Sequence, residues 1–346
     1  MDSIPTTHNR APTIRDVARR ARVGVGTVSR VLNGSPLVSE DARQRVRHTI
    51  DELGYRRSSA ARSLSLGRTQ TVGVVAPFFT TGSVSERLRG VLDHLRGRGD
   101  YDLMLFDVET VTQRADAFRN FASSDRVDGL LVVSLSPSKA EAESLRRENL
   151  PVVLIDVSHP AFPHVVIDDL LGGELATEHL LARGHRRIGF VGDQPSPFGF
   201  TSSEQRRRGM RRALRRAQLE PVADLEARGP HGRAEARELA TRLLSRADRP
   251  TAIFAASDVQ AMGVLEAADA LRLRVPADLA VIGFDDLEVS SALGLTTVRQ
   301  PLRETGARGA ELLLRAIDKA SGPVPDPAEH PIVEMAPLTV IVRRTT

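Results

Sequence analysis

The chain has 346 residues, 41% hydrophobic and 27% charged. That is enough apolar surface for a sizeable core and excludes disorder as the main theme. It has no cysteine, which rules out disulfides, thiolate metal sites and cysteine nucleophiles. The pI of about 10.2 overstates its basicity. The formal net charge is only +4, and of the 48 basic residues only Lys139 and Lys319 are lysines, so almost nothing titrates between neutrality and the arginine pKa.

The charge is unevenly placed. Residues 1–70 hold 13 arginines against six acids, a net +7, and the remainder carries −3. A basic head on a mildly acidic body is expected where one end meets a polyanion. In the head, Ile14, Val17, Ala18 and Ala21 fall on one face of a first helix with Thr13 as its N-cap. A break at Arg22-Val23-Gly24 precedes a second helix over 25–33 that buries Val28, Val31 and Leu32, stopped by Asn33-Gly34-Ser35-Pro36. A third helix opens at Ser39, with Glu40 and Asp41 suiting its dipole. It buries Ala42, Val46, Ile50 and Leu53 and ends at Gly54. A weaker helical stretch spans 58–66.

After Gln70 the texture changes. Apolar runs at 71–76, 102–106, 129–133, 152–156, 164–167, 187–191, 252–255 and 280–283 alternate with amphipathic helices. A last helix over 304–319, a Pro-rich turn and a strand over 338–342 close the chain. About eleven strands alternating with helices suit parallel βαβ units divided between two lobes. The fold class is an all-α helix-turn-helix head, followed by a short helical stretch that the family resemblance given below implies to be a hinge helix, joined to an α/β body of two doubly wound parallel-sheet lobes. The boundaries are 1–57 for the head, 58–70 for hinge and linker, and 71–346 for the body. The N-lobe takes about 71–165 and 300–328, the C-lobe about 166–299 and 329–346. No apolar run approaches the ~18 residues of a membrane span. The start, Met1-Asp2-Ser3-Ile4-Pro5, has neither the basic residues nor the apolar run of a secretory signal, so a soluble, cytoplasmic, nucleoid-associated protein is expected.

In the head, small Ala18 and Ala21 pack one helix on the next around a Val23 wedge. This leaves Thr27, Ser29, Arg30 and Asn33 free to enter a major groove. A small three-helix bundle without DNA would share the spacing; the local +7 favours DNA. Gly24-Val25-Gly26 makes a poor dinucleotide loop, with no preceding strand and Ser29 at the third glycine position. In the body, ligands of open α/β sheets bind outside the carboxyl ends of strands. Asp156, Asp168, Ser257-Asp258 and Asp285 all follow predicted strands, and such acceptors suit a polyhydroxyl or amine ligand. Asp258 is read as a cap of the following helix or a ligand contact, Asp168 as a contact or a brace at the lobe crossing. Phe78, Phe79, Phe198 and Phe200 fall in loops expected to line a cleft, with a core role open for Phe78 and Phe79. The histidines show no metal spacing, and no nucleophile elbow or phosphate loop is present. No enzyme, cofactor or metal is expected.

The stretch 13–66, with Asp16-Val17-Ala18, Thr27-Val28-Ser29-Arg30-Val31-Leu32-Asn33, Leu53-Gly54-Tyr55 and Ala61-Arg62-Ser63-Leu64, resembles the head of the lactose/galactose-repressor (LacI/GalR) family of bacterial transcription regulators. The likeness continues in Val127-Asp128-Gly129, Gly184-His185-Arg186-Arg187-Ile188-Gly189, Val275-Pro276-Ala277-Asp278-Leu279 and Ile282-Gly283-Phe284-Asp285-Asp286. It implies that Val25, Gly26 and Arg30 read bases, while Thr13, Thr27, Ser29 and Asn33 contact phosphates or anchor helices. Leu64 would wedge into the minor groove from a hinge helix, and Arg15 and Ala61 complete the expected DNA contacts. Asp156, Arg206, Ser257 and Asp285 match effector contacts, with Phe78, Phe79, Ser83, Phe200 and Ser202 beside them. Arg22 and Gly24 depart from the family's usual turn, where Arg22 would be strained in the left-handed region. The implied protein is a homodimeric repressor of a pseudo-palindromic operator on double-stranded DNA, controlled by a small molecule in the cleft. That molecule is expected to be a sugar; a nucleoside, purine or other non-sugar effector is the alternative, and a ligand-binding transport protein the remote one. No heptad tail follows Arg343-Arg344-Thr345-Thr346, so a dimer is expected.

Overall fold

The computed structural model describes residues 12–32, 34–55, 68–98, 101–122, 126–195, 198, 201–320 and 333–346. The chain divides into two compact units, Met1–Thr69 and Gln70–Thr346. The expected DNA contacts Asn33, Ala61 and Leu64, the hinge stretch 58–66 and the expected effector contact Phe200 lie outside the described residues.

The first unit contains helices α1 (Ile14–Ala21), α2 (Val25–Leu32) and α3 (Glu40–Leu53). Val17, Ala18, Ala21, Val28, Val31, Val46 and Tyr55 form its core, with Val23 and Leu32 packed against them. Ile50 and Leu53 are half-buried rather than fully buried, whereas Thr49, on the same face, is buried and donates to the Arg45 carbonyl at 2.8 Å. Helix α1 opens with a capping box. Thr13 accepts from the Asp16 amide, and the Asp16 carboxylate accepts from the Thr13 amide at 2.9 Å, meeting two otherwise orphaned donors. Both α1 and α3 end alike: Arg22 (φ 54°) and Gly54 (φ 59°) turn left-handed. The next amide then donates five residues back, Val23 to Ala18 at 3.0 Å and Tyr55 to Ile50 at 3.0 Å. That 6→1 bond with an apolar residue behind it is the usual helix stop, so Arg22 bears strain that glycine at Gly54 avoids.

The second unit is built of two lobes. The first has strands β1 (Thr71–Ala76), β2 (Asp102–Asp107), β3 (Gly129–Val133), β4 (Val152–Ile155), β5 (His164–Ile167) and β11 (Val333–Ala336), in the order β11-β5-β4-β3-β1-β2. All its pairings are parallel. Helices α4 (Gly82–Arg98) and α12 (Leu302–Ala320) cover one face, α5 (Val111–Ala122) and α6 (Lys139–Arg147) the other. The second lobe orders its strands β12-β10-β9-β8-β6-β7. They are β6 (Ile188–Asp193), β7 (Glu226–Gly229), β8 (Ala252–Ala255), β9 (Ala280–Asp285), β10 (Thr296–Arg299) and β12 (Thr339–Ile341). Only β12 runs antiparallel, against β10. Helices α7 (Asp169–Ala182) and α8 (Ser202–Arg216) cover one face, α9 (Arg233–Leu244) and α10 (Asp258–Ala270) the other, and a short α11 (Glu288–Leu293) follows β9.

The chain passes between lobes three times: after β5, between β10 and α12 at Gln300-Pro301, and between β11 and β12 at Pro337-Leu338. The expected boundary puts 329–346 wholly in the second lobe. Instead β11 pairs with β5 from Val333↔His164 to Ala336↔Ile167, so the last crossing falls later. Glycines set the closest helix contacts. A Cβ on Gly306 of α12 would lie 2.0 Å from the Arg87 carbonyl oxygen of α4, and one on Gly173 of α7 2.0 Å from the Arg206 carbonyl oxygen of α8.

Candidate nucleic-acid interface and inter-lobe cleft

Of the residues expected to meet DNA, those described are Thr13 at the N-cap of α1, Arg15 on α1, and Val25, Gly26, Thr27, Ser29 and Arg30 on α2. Val25 is 44% exposed; Gly26 and Arg30 are exposed, and Thr27 and Ser29 half-buried. Gly24 caps α2 through its carbonyl, which accepts from the amides of Thr27 at 2.9 Å and Val28 at 3.2 Å. A Cβ on Gly26 would meet nothing within 4 Å, so α2 presents bare backbone there. The cations fall into two sets. Arg19, Arg20, Arg43 and Arg45 pair with Asp16, Glu52, Glu40 and Asp41. Arg15, Arg22, Arg30 and, on α3, Arg47 form no ion pair among the described residues and are exposed, leaving whole positive charges for a polyanion.

In the second unit, strand ends and helices bring charged side chains together between the lobes. Arg206 on α8 is 6% exposed. Its Nε donates to Asp169 Oδ1 at 2.8 Å, its Nη1 to the Ala256 carbonyl at 2.6 Å, and Nη1 stands 4.0 Å from Asp285 Oδ1. The guanidinium stacks on Phe284, 3.6 Å from the ring centroid, which favours arginine over lysine. Burial opposes its charge, but Asp169, Asp285 and Asp156 outweigh this and raise its pKa. Burial pushes the Asp169 and Asp285 carboxyls up despite Arg206.

From the first lobe, Arg87 on α4 is 2% exposed. Its Nη2 donates to Asp156 Oδ1 at 2.5 Å and to Gln300 Oε1 at 2.9 Å. Asp156 also accepts from Ser134 Oγ at 2.7 Å. Gln300, on the second crossing, donates through Nε2 to Asp285 at 2.5 Å, so one amide joins Arg87 and Asp156 to Asp285. Beyond them Gln260 Nε2 donates to Asp193 at 2.8 Å, and His231 Nδ1 lies 3.0 Å from the same oxygen. Burial would lower the His231 pKa, but Asp193 overrides it and raises it. Phe78, Ser134, Asp156, Asp285 and Asp286 all have positive φ. These non-glycine residues with positive φ end or follow β1, β3, β4 and β9, so backbone strain gathers at the strand ends that border the cleft.

The other expected contacts fare differently. Asp168 caps α7, accepting from the Leu171 amide at 2.9 Å, which makes it a brace at the first crossing. Ser257 is the N-cap of α10, its Oγ accepting from the Gln260 amide at 3.2 Å. The expectation that Asp258 caps that helix is therefore corrected. Asp258 is its first helical residue and accepts from the Leu287 amide, Ser290 and Thr297. It ties the β9–α11 loop to β10, and burial pushes its pKa up to about 7. Phe79 is half-buried against the first lobe's core. Phe78, 36% exposed, meets Phe198 edge-on at 6.2 Å. Phe198 leaves the second lobe to enter the first lobe's core, and its carbonyl accepts from Arg114 at 2.9 Å. Ser83 and Ser202 are half-buried in the first turns of α4 and α8; the neighbouring Ser203 is the buried one, accepting from the Asp193 amide at 2.9 Å.

Sequence reading missed Arg87, Asp169, Gln260 and Gln300. Arg87 had a signal: it stands three residues after Val84 and four before Val91, on the apolar stripe of α4.

A family model described as bacterial regulatory proteins, lacI family, matches residues 13–58, and one described as a periplasmic binding protein-like domain matches residues 177–346. The chain is 36% identical over 310 residues to the ribose operon repressor of Escherichia coli (strain K12), covering 88% of this chain and 93% of that protein. Among solved structures it is similar to the Lac repressor dimer bound to operator and the anti-inducer ONPF, at TM-score 0.82 and 27% identity, covering 97% of this chain and 99% of that one. It is also similar to a complex of the transcriptional regulator CelR with cellobiose, at TM-score 0.70 and 30% identity, covering 97% and 100%.

Proposed function

The chain belongs to the lacI family of bacterial regulatory proteins, and from that premise we propose a repressor that binds a pseudo-palindromic operator as a homodimer and is controlled by a sugar between its lobes. The observation that carries the DNA half is the free charge of the first unit: Arg15, Arg22 and Arg30 exposed beside a bare stretch of α2. Arg30 is the α2 side chain with the reach and donor fork to pair with guanine, and the exposed Arg22 would add a phosphate contact. The observation behind the effector half is the buried alternation of guanidinium and carboxylate at strand ends. Hydroxyls both donate and accept, so a polyhydroxyl ligand answers such a ring. Relatives named for ribose and cellobiose point the same way. Effector binding alters operator affinity only through different affinity for two arrangements of the lobes. A protein working in this way acts in the cytoplasm, on the nucleoid.

A nucleoside is the second reading, favoured by the partly exposed ring of Phe78, which offers a face for a base. Selection of bound sites from a random duplex library tests the DNA half. An enriched site with two-fold symmetry is expected; enrichment of an asymmetric site, or of none, contradicts the proposal. Thermal-shift titration with D-ribose, D-glucose, cellobiose and adenosine tests the effector half. Stabilisation by a sugar supports the first reading, and stabilisation by adenosine alone supports the second.

A further inference from the structure

Arg87 is a charge placed where a helix of this kind puts an apolar side chain. A buried guanidinium is costly unless its N–H groups are met. Nη2 is met by Asp156 and Gln300, whereas Nε is buried with no partner. Its backbone setting duplicates that of Arg206. Each arginine has its carbonyl pressed against a glycine of the neighbouring helix, Gly306 for Arg87 and Gly173 for Arg206. Each guanidinium also reaches an aspartate beside a strand end, Asp156 or Asp169. Gln300 then links the two sets through Asp285.

We propose that Arg87 is a specificity-determining effector contact of the first lobe, its Nε–H donating to an oxygen of a neutral polyhydroxyl ligand that Arg206 holds from the second lobe. This rests on the reading of the cleft as the effector site and narrows the ligand class. The inner ring holds two guanidiniums, Arg87 and Arg206, against three carboxylates, Asp156, Asp169 and Asp285. The next pair outward, Asp193 and His231, adds no surplus positive charge. Burial already disfavours the charged forms of Asp169 and Asp285, and a sugar acid or sugar phosphate would bring a further anion among the same three carboxyl groups. A neutral polyol adds none, and its hydroxyls serve the guanidiniums and the carboxylates together.

The test is calorimetric titration of the full chain with neutral probes (D-ribose, D-glucose, cellobiose) and anionic ones (D-gluconate, D-glucuronate, ribose 5-phosphate). At least one neutral probe is expected to bind, with the anionic probes weaker by about 100-fold or more. Arg87→Lys keeps a positive charge for Asp156 but lacks the Nε–H donor. It should retain the ligand-free melting temperature and lose about tenfold or more in affinity for the neutral probe. An anionic probe that binds as tightly as the neutral ones overturns the charge argument on the unmodified chain, whatever the variant's stability. Full affinity in Arg87→Lys, with binding lost in Arg206→Lys, overturns Arg87 as a contact and leaves the cleft reading standing. If no sugar binds at all, both fall.

Discussion

The two units use arginine in opposite ways. In the first, Arg15, Arg22 and Arg30 stand in solvent without acidic partners among the described residues; in the second, Arg87 and Arg206 are almost wholly buried and enclosed by carboxylates. Free exposed charge attracts a polyanion over many geometries and is weakened by salt. Buried, paired charge is screened far less and has one geometry, which suits selection of a small ligand. The sequence's whole-chain charge of +4 conceals this division.

The largest expected effect lies in the second unit. Arg206→Ala leaves Asp169 and Asp285 buried without their cation, so a stability loss of about 3–5 kcal/mol is expected. Urea denaturation measures it, and a loss below about 1 kcal/mol would show that the cluster is solvated and not a buried ring.

Asp258 comes next. Its pKa is raised from 3.8 to about 7, by burial first and then by Asp285, so the folded state prefers it protonated. Its contribution is fully present below the unfolded pKa and is lost as pH rises through the folded one. Stability should therefore decline between about pH 4 and pH 7 by a few kcal/mol from this group. Asp258→Asn removes the titration, and an unchanged pH profile in that variant would assign the decline elsewhere.

In the first unit the effects are smaller on stability and specific to DNA. Arg30→Ala should cost about 1–3 kcal/mol of operator affinity and relax the preference at one base pair per half-site, with the melting temperature unchanged. Smallest of all, Thr13→Ala removes half of the capping box and should cost about 1 kcal/mol of the first unit's stability, read from amide exchange in α1.

Much of the architecture was legible because it is written in periodicity. The three head helices, Thr13 as a cap, Ser39 as a start, Gly54 as a stop and most of the buried strands follow from apolar spacing and turn residues, but β10, Thr-Thr-Val-Arg, has too little apolar content to show and was missed. Strand β7, Glu-Ala-Arg-Gly, was not legible. It is an edge strand whose Glu226 is held by Arg207 and Arg211, so no apolar pattern marks it. Strand β11 was missed because its partner β5 is some 170 positions earlier, and register over that distance leaves no local trace. In the cleft, Asp156, Arg206 and Asp285 could be located by their places after strands and by family resemblance. Gln300 could not, since it depends on how the second crossing packs, and Arg87 was passed over although its helical position marks it. In a chain with 46 arginines, one more draws no notice unless its place on an apolar stripe is weighed. Asp258 shows the opposite error: its position after a strand suggested a cap or a ligand contact, and only the tertiary partners Ser290 and Thr297 reveal a brace.

The contrast between free and enclosed arginine is tested most directly by salt. Fluorescence anisotropy of the full chain with its selected operator, and calorimetry with its bound sugar, can be run at about 50 and 200 mM salt. Phosphate contacts by Arg15, Arg22 and Arg30 in each protomer of a dimer, about six in all, predict that operator affinity falls about 10³-fold over that range, while sugar affinity stays within about twofold because its partners are buried. Operator affinity that ignores salt, or sugar affinity that falls with it, would contradict the account.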